Sequence, residues 1–221
     1  MVIYDEQYLY NAVVENKTLF VNSNVPVSLI ATNSLTEGRG EDKFVVLPIC
    51  QLGREYHIVG EESFYEDYQS TNIFTIIAVE DNTTVTLEFF FLESTLNRGQ
   101  QLTIITTDWA NAVVVTSNKN VAVLSGSVCG YGNTYSNHPS QCSYEALMLA
   151  PSSNWGKEAP FYKYLPEDSG EFMLFFEEAN TDVYFDEQKL SHGPFGSNSY
   201  LTCANKTGVY IRATGPIYVV A

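Results

Sequence analysis

Short runs in which apolar and polar residues alternate recur along the whole chain. A period of two places every second side chain on one face of a β-strand, and the Asn, Ser, Gly and Pro clusters between the runs mark changes of direction. No segment longer than about eight residues keeps a helical period of 3.6. The pattern therefore predicts an all-β protein. Its clearest strands are Thr18–Val21, Val27–Ile30, Lys43–Leu47, Thr84–Glu88, Leu102–Thr106 and Ala112–Thr116.

Residue usage supports the same fold class. The chain holds 15 Tyr and 13 Phe, and aromatic and β-branched residues fit the pleated, half-buried surface of a sheet. The segment Glu88–Leu96 is the most ambiguous. We predict a strand there, because three consecutive Phe residues suit a strand better than a surface helix.

Self-similarity is the most informative feature of the chain. The segment Val21–Ala31 returns as Val115–Ser125, 94 positions later, and again as Ile211–Ala221, a further 96 positions on. Each copy places apolar runs on both sides of a Ser-Asn or Thr-Gly pair, which predicts a strand, a tight turn and a second strand. Pro26 and Pro216 fix φ where the chain leaves this turn.

Two further motifs recur in the same order, at offsets of 103 and 98 positions. The matched pairs are Leu47–Tyr56 with Ala150–Glu158, and Phe74–Thr86 with Phe172–Tyr184. A repeat of about 95 residues with seven or eight short strands has the size of a β-sandwich. We therefore predict an internal duplication into two tandem, closely fused β-sandwich-like units. The first covers residues 1–116 and the second residues 117–221, closed by a hairpin over 209–221.

Two of the four cysteines are candidates for a disulfide that closes a loop. Cys129 and Cys142 bracket a turn-rich segment that the repeat arithmetic identifies as an insertion. A disulfide between them would close this loop and stabilise the fold by roughly 3 kcal/mol. Zinc is the alternative, because His138 lies between them, but no CxxC motif accompanies it. Cys50 and Cys203 could pair with each other or remain buried thiols.

Charge limits the partners. With 26 acidic against 11 basic residues, the formal net charge is −15. Nucleic-acid binding depends on Lys and Arg that neutralise phosphates, and an anionic membrane surface would repel this chain. No apolar stretch approaches the roughly 18 residues of a membrane-spanning helix. We therefore expect no nucleic-acid partner and no membrane insertion.

Several features suggest an extracellular chain. Asn16, Asn82 and Asn205 each begin an Asn-x-Thr sequon, the acceptor motif for N-glycosylation. The N-terminus has no basic and apolar signal segment, so we expect a mature secreted fragment whose signal peptide has been removed. The last residues form a strand-like run, which suggests further domains of the same longer chain.

The ordered motifs resemble the N-terminal domain of the IgGFc-binding protein family, over residues 18 to 220. The motifs are Val113–Gly126 with Cys129, Leu147–Pro151, Trp155–Glu158, Val45–Pro48, Leu52–Tyr56 and Ile76–Thr86. The resemblance implies a secreted, non-catalytic module at the head of large extracellular or mucus-associated proteins, often upstream of von Willebrand factor type D domains. It also implies adhesion, or the immunoglobulin Fc binding of mammalian members. It carries no binding residue over to this chain.

Enzymatic motifs are missing from the sequence. There is no Gly-x-Ser-x-Gly, phosphate-binding loop or HExxH motif, and His57 lies in a strand-like run where a structural role is expected. Acidic doublets such as Glu61-Glu62 and Glu66-Asp67 fit solvated loops. A calcium site or a glycosidase carboxylate pair are the alternatives for them. We predict no enzyme, no resident metal and no cofactor, with calcium left as the open case.

Aromatic residues in turn-rich stretches are the candidates for binding. They follow the Gly-Arg/Lys-Glu motif in each repeat and are Phe64, Tyr65, Tyr68, Phe161, Tyr162 and Tyr164. Exposed aromatic residues on loops commonly anchor partners, whereas the alternative is that they cover the edge of the core. We predict a secreted binding or adhesion module that recognises a protein or glycan through its loops. A calcium-assisted, lectin-like carbohydrate-binding domain is the alternative.

Overall fold

A computed structural model describes residues 2–5, 10–34, 41–60, 72–106, 113–130, 143–162, 172–190, 199–203 and 208–220. Within these ranges the regular structure consists of strands and three short 3₁₀ helices, with no α-helix. This confirms the all-β prediction. None of the helices in the described ranges has the length and apolar character needed to cross a membrane. The chain divides into two compact units, and the described residues change from the first to the second between Pro151 and Ser152.

The first compact unit is built on a nine-stranded antiparallel sheet with the order β1-β2-β9-β6-β10-β7-β8, and β5 and β11 also pair with β10. Strands β3 and β4 form a separate antiparallel pair. The strands are β1 (Val2–Asp5), β2 (Tyr10–Glu15), β3 (Ile30–Ser34), β4 (Glu41–Val45), β5 (Gly53–His57), β6 (Asn72–Ala78), β7 (Thr83–Leu87), β8 (Leu92–Leu96), β9 (Gln101–Thr106), β10 (Val114–Gly130) and β11 (Ser143–Met148).

The second compact unit is built on a six-stranded sheet with the order β15-β14-β17-β13-β16, and β12 also pairs with β17. Its strands are β12 (Gly156–Tyr162), β13 (Phe172–Phe176), β14 (Val183–Phe185), β15 (Gln188–Lys189), β16 (Ser199–Cys203) and β17 (Gly208–Val220). Inward side chains of this sheet form one apolar cluster, which includes Phe172, Phe176 and Ile211.

The two sheets share one strand order. Strands β8-β7-β10-β6-β9 of the first unit correspond one by one to β15-β14-β17-β13-β16 of the second, and β5 corresponds to β12. This agreement is what an internal duplication would produce. The predicted boundary between the two repeats, after residue 116, stays a prediction. The boundary between the compact units lies elsewhere, since β10 continues past residue 116 within the sheet of the first unit.

The predicted hairpin in the second and third copies of the repeat is wrong. Residues 114–130 and 208–220 are instead single long strands, β10 and β17. In β10, Val115–Ser117 pairs with β7, whereas Val121–Ser127 pairs with β6. The Ser-Asn segment between these two parts is a bend at which the register with β5 shifts. The two halves of β10 thus pair with β7 and β6 respectively and not with each other, whereas β5 pairs with both halves across the register shift.

The first copy of the repeat differs from the other two. Residues 18–29 are not in a strand, and β3 begins only at Ile30. The predicted strands Thr18–Val21 and Val27–Ile30 are therefore wrong, because no described strand hydrogen-bonds to residues 18–29. The pairing beyond this point matches the second copy, since Ile30 lies opposite Val45 as Leu124 lies opposite Met148.

The repeated Asn-Thr turn has the same structure in both units. Asn82 and Asn180 both have positive φ, at 53° and 62°. Thr83 and Thr181, which follow them, each donate a hydroxyl hydrogen bond of 2.8 Å to the carbonyl three residues earlier. Asn tolerates the left-handed conformation better than most residues, which explains the recurrence of Asn at this turn.

The three consecutive Phe residues do not form the predicted strand. Glu88–Phe90 is a 3₁₀ turn, and Phe91 adopts a left-handed conformation with φ 48° before β8 begins. Phe90 is buried against Tyr10 and Phe74, at ring-centroid distances of 4.7 and 6.0 Å. Since Leu87 and Leu92 face each other across the hairpin, the Phe residues must turn the chain.

Gly215 in the bend of β17 provides a test of close packing. A β-carbon at this position would lie 2.5 Å from Thr181 Oγ1, which is buried beside the Asn-Thr turn. We expect Gly215→Ala to destabilise the second unit by about 1–3 kcal/mol, because the Thr181 and Glu178 side chains must move and the Thr181 hydroxyl bond to the Glu178 carbonyl is disturbed. Urea unfolding measures the change. Gly156→Ala is the matched control, since the nearest atom to its β-carbon is 3.7 Å away, and an equal loss in both variants would contradict the prediction.

Candidate binding face of the second unit

Strict alternation along β17 separates an inner from an outer face. Val209, Ile211 and Ala213 are buried in the core, whereas Tyr210 is exposed and Arg212 is half-buried on the opposite side. The neighbouring strands β12 and β14 flank this part of β17. Their outward side chains therefore join those of β17 in one outer face, which we call the β12–β17–β14 face. Its members are Glu158, Tyr162, Tyr184, Tyr210 and Arg212, with Asp186 and Glu187 of the adjoining turn.

Arg212 lies at the centre of this face. It stands opposite Glu158 on one side and Tyr184 on the other. Its guanidinium lies 4.5 Å from the centre of the Tyr184 ring, and one of its nitrogens donates a 3.0 Å hydrogen bond to Glu187. Stacking and a charged hydrogen bond together restrict the rotamers of Arg212. The Arg212 side chain therefore loses less conformational entropy when a partner binds its guanidinium.

Tyr210 is held by two acidic residues. Its hydroxyl donates a 2.5 Å hydrogen bond to Glu158 Oε2, and its backbone N–H donates a 2.9 Å bond to Asp186 Oδ1. The hydrogen bond to Glu158 raises the pKa of Tyr210, because it stabilises the protonated phenol. The ring of Tyr210 is therefore fixed while its face remains open to solvent.

The turn beside Tyr210 is tight. Asp186 and Glu187 join β14 to β15 as a two-residue loop, and both have positive φ, at 47° and 68°. Two consecutive positive φ values are typical of the type I′ turn that matches the twist of a hairpin. The turn places the Asp186 carboxylate under the Tyr210 N–H and Glu187 beside Arg212.

Of the sequence-predicted aromatic residues, two lie in the described part of the chain. Tyr162 is 78% exposed and lies opposite Gly208, whereas Phe161 turns inward and packs on Phe172 at 4.2 Å between ring centroids. Phe161 therefore covers the core, and Tyr162 is available to a partner. Phe64, Tyr65, Tyr68 and Tyr164 lie outside the described residues, so their roles stay predictions.

The first unit acts as an internal control for this face. At the equivalent cross-strand row it carries Glu55, Thr116 and Thr86 in place of Glu158, Arg212 and Tyr184. The position of Tyr210 is taken by Val114 in β10. The same strand arrangement thus forms without Arg or Tyr at these positions. Tyr184, Tyr210 and Arg212 of the second unit are therefore not required by the fold, whereas Glu occupies the Glu158 position in both units.

Sequence reasoning missed Tyr184, Tyr210 and Arg212. A signal for them was present in 208–218, where Tyr210, Arg212 and Tyr218 alternate with Val209, Ile211 and Ile217. The alternation identifies an outer face, but not the strands that flank it. Only the register of β12 and β14 on β17 shows that these side chains meet Glu158 and Glu187.

The predicted glycosylation sites and cysteines lie only partly within the described residues. Asn16 and Asn82 are exposed, as a glycosylation acceptor must be, and Asn205 lies outside the described residues. Cys142 and the Cys129 side chain also lie outside them, so the predicted disulfide stays a prediction. Cys50 is an exposed free thiol and not a buried one, because it lies in the 3₁₀ turn Ile49–Gln51, which buries none of its residues.

The described residues offer no cluster of metal ligands. No group of three or more His, Cys, Asp or Glu side chains is arranged there to hold a metal ion. Within the β12–β17–β14 face the carboxylates already have partners, since Glu158 binds Tyr210 and Glu187 binds Arg212. The arrangement is therefore suited to binding through aromatic rings and charge-assisted hydrogen bonds.

His57 is a structural residue of the first unit and gives a prediction for pH. Burial lowers its pKa below 6.5, opposed in part by Glu55 at 3.8 Å. The unfolded chain therefore binds this proton at a higher pH than the folded chain, so the contribution to stability is complete above about pH 6.5 and is lost as the pH falls below it. We expect His57→Gln to lose less stability than the wild type between about pH 7 and pH 5. Urea unfolding at the two pH values measures this, and equal losses would contradict it.

Most of the chain matches a known protein family. A protein-family model described as IgGFc binding protein matches residues 42–221. Searches of curated proteins and of solved structures gave no match.

Proposed function

Because the chain belongs to the IgGFc binding protein family, we propose that it is a secreted, non-catalytic binding module whose protein or glycan partner docks on the β12–β17–β14 face. The observation that carries the proposal is the cluster of ordered aromatic and charged side chains on this face. The equivalent row in the first unit holds two Thr residues instead. The family is one of binding proteins, and the side chains of this face are not needed for folding. Both observations support a binding function.

The chemistry of the face fits recognition. Tyr and Arg are the residues most often found at the energetic centres of interfaces, because they bury a large surface and also form hydrogen bonds. Tyr162 offers an exposed ring, Tyr210 a second ring, and Arg212 a guanidinium held in one orientation. Sheet strands position these groups more rigidly than loops do. Phe64, Tyr65, Tyr68 and Tyr164, which lie outside the described residues, are proposed as further binding residues on the strength of the sequence pattern alone.

The negative charge of the chain favours a partner with a positively charged docking surface. The chain has a net charge of −15, and Asp186, Glu187 and Glu158 add negative charge beside the aromatic rings. Opposite charge steers association and raises its rate at low ionic strength. A partner with a basic docking surface is therefore favoured, and its association rate is expected to fall as salt is added.

Biolayer interferometry with two probes tests the proposal. Immunoglobulin G Fc, which the name of the family specifies, and a glycan array are presented to the intact chain. We expect at least one probe to bind and Tyr162→Ala to weaken its affinity by about tenfold or more, since an exposed aromatic residue at an interface centre contributes more than 1 kcal/mol. Both probes failing to bind at concentrations up to about 100 μM, the weak end of specific recognition, would contradict it.

Matched variants locate the site. Arg212→Ala is expected to weaken binding, whereas Thr116→Ala, at the equivalent position of the first unit, is expected to leave it unchanged. Urea unfolding of each variant shows that a loss of binding does not result from a loss of structure. Binding that persists in Tyr162→Ala and Arg212→Ala would place the partner elsewhere on the chain.

A further inference from the structure

Residues 19–29 expose a regular set of apolar side chains. The exposed fractions are 91% for Leu19, 64% for Val21, 63% for Val27 and 39% for Leu29. A row of large apolar residues at this exposure is unusual for a folded chain and marks an interaction surface. Leu19 and Val21 lie two residues apart before a bend at Asn24 and Val25, and Val27 and Leu29 lie two apart after it, which is the spacing of a β-strand. The Phe20 ring, between the first two, lies 4.3 Å from the Arg98 guanidinium carbon.

The other two copies of this segment show what covers such residues. The positions equivalent to Leu19, Val21 and Val27 are Val113, Val115 and Val121, which are completely buried in and beside β10. In β17 the equivalent residues are Val209, Ile211 and Ile217, which are 6%, 0% and 4% exposed. The same sequence positions are therefore core residues in two copies and surface residues in the first.

Equivalent strands bury these residues in the two long strands. The long strand β10 is flanked by β5, β6 and β7, and the long strand β17 by β12, β13 and β14. These strands precede the long strand in chain order, so each long strand completes the unit that comes before it. No strand of this kind pairs with residues 19–29 in the described ranges. One backbone bond, from the Val46 N–H to the Leu29 carbonyl, and the contact of the Phe20 ring with Arg98 connect the segment to the rest of the first unit.

This single bond also has an equivalent. The Leu149 N–H donates to the Val123 carbonyl with the same 2.9 Å length, 103 and 94 positions further along the chain. Ile30 opposite Val45 matches Leu124 opposite Met148 in the same way. The side of the segment that faces β4 therefore already has the structure of a long repeat strand. On the opposite side, no strand in the described ranges pairs with it.

We infer that residues 18–31 are the long strand of a third repeat unit, and that strands of the β12, β13 and β14 type from such a unit, joined ahead of residue 18, cover Leu19, Val21, Val27 and Leu29. The segment would then be a connection point at which repeat units of one fold follow each other. The inference depends on the internal comparison alone and is independent of the binding face of the second unit.

Insertion of a repeat unit lacking its own long strand tests the inference. A second copy of residues 152–207, which contains β12 to β16, is placed between Lys17 and Thr18 of the intact chain. Thr18 then follows the insert as Gly208 follows residue 207. Lys17 is an exposed side chain, so the insertion point is accessible. Hydrogen exchange is measured on peptides that cover residues 19–31.

In the unmodified chain these amides are expected to exchange rapidly, and in the insertion chain at least about 100-fold more slowly, as expected for amides of a core strand. Val27→Asp with Leu29→Asp in the insertion chain is expected to abolish the protection. An insert of residues 152–220, which carries its own long strand, is the control for folding at this position and should leave residues 19–31 exchanging rapidly.

Two results would overturn the inference. The first is rapid exchange of residues 19–31 in the chain with the 152–207 insert while the 152–220 insert folds. The second is protection of these residues in the unmodified chain that rises with protein concentration, because the occupant would then be a second copy of the chain and not a preceding unit.

Discussion

Phe90→Ala is expected to destabilise the first unit by about 3–5 kcal/mol, the usual cost of truncating a buried Phe. Phe90 is 1% exposed and its ring contacts those of Tyr10, Phe74 and Phe89. Its removal leaves a cavity among three aromatic rings, and the 3₁₀ turn that carries it cannot collapse without moving β7 and β8. A loss of this size is a large part of the 5–15 kcal/mol that stabilises a typical domain.

Urea unfolding followed by circular dichroism measures this loss. Phe91→Ala is the control within the same turn, because Phe91 is exposed and its left-handed conformation is equally strained with Phe or Ala. We expect that control to change stability by no more than about 0.5 kcal/mol, as surface substitutions usually do. Similar losses in the two variants would show that the turn, and not the buried ring, determines stability here.

The recurring turns could be predicted from the sequence because their conformation depends on local residues. Asn82 and Asn180 occupy the same left-handed position, and Ile30 and Leu124 face equivalent partners. The tight hairpin could not be predicted correctly, because Ser and Asn favour a bend in a long strand as much as a hairpin turn. Which partners the two halves of β10 choose depends on strands far away in sequence, and no local pattern contains that choice.

The candidate site was predictable only in part for a related reason. The sequence identified Phe161 and Tyr162 together, but neighbouring residues of a strand point to opposite faces, so only one of them can face solvent. Tyr162 is that residue. Tyr210 and Arg212 belong to the site through their pairing with β12 and β14. Register between strands that are distant in sequence is what turns separate side chains into one face.

Val121→Asp and Val27→Asp place one substitution at two equivalent positions of the repeat. Val121 is completely buried in β10, and Val27 is 63% exposed. An isolated carboxylate at residue 121 would lose its hydration without gaining a partner, which costs several kcal/mol even when the group becomes protonated. We expect Val121→Asp to destabilise the first unit by more than about 4 kcal/mol and Val27→Asp to change stability by less than about 0.5 kcal/mol.

Urea unfolding, with hydrogen exchange of the β10 amides as a second readout, distinguishes the two positions. Protection of β10 is expected to disappear in Val121→Asp and to persist in Val27→Asp, because only the first valine has the neighbouring strands β5 and β6 beside it. Equal destabilisation by both substitutions would mean that residues 19–29 already pack against other parts of the chain in solution. The difference between the two valines thus reports whether neighbouring strands bury this position of the repeat, as β5 and β6 do for Val121.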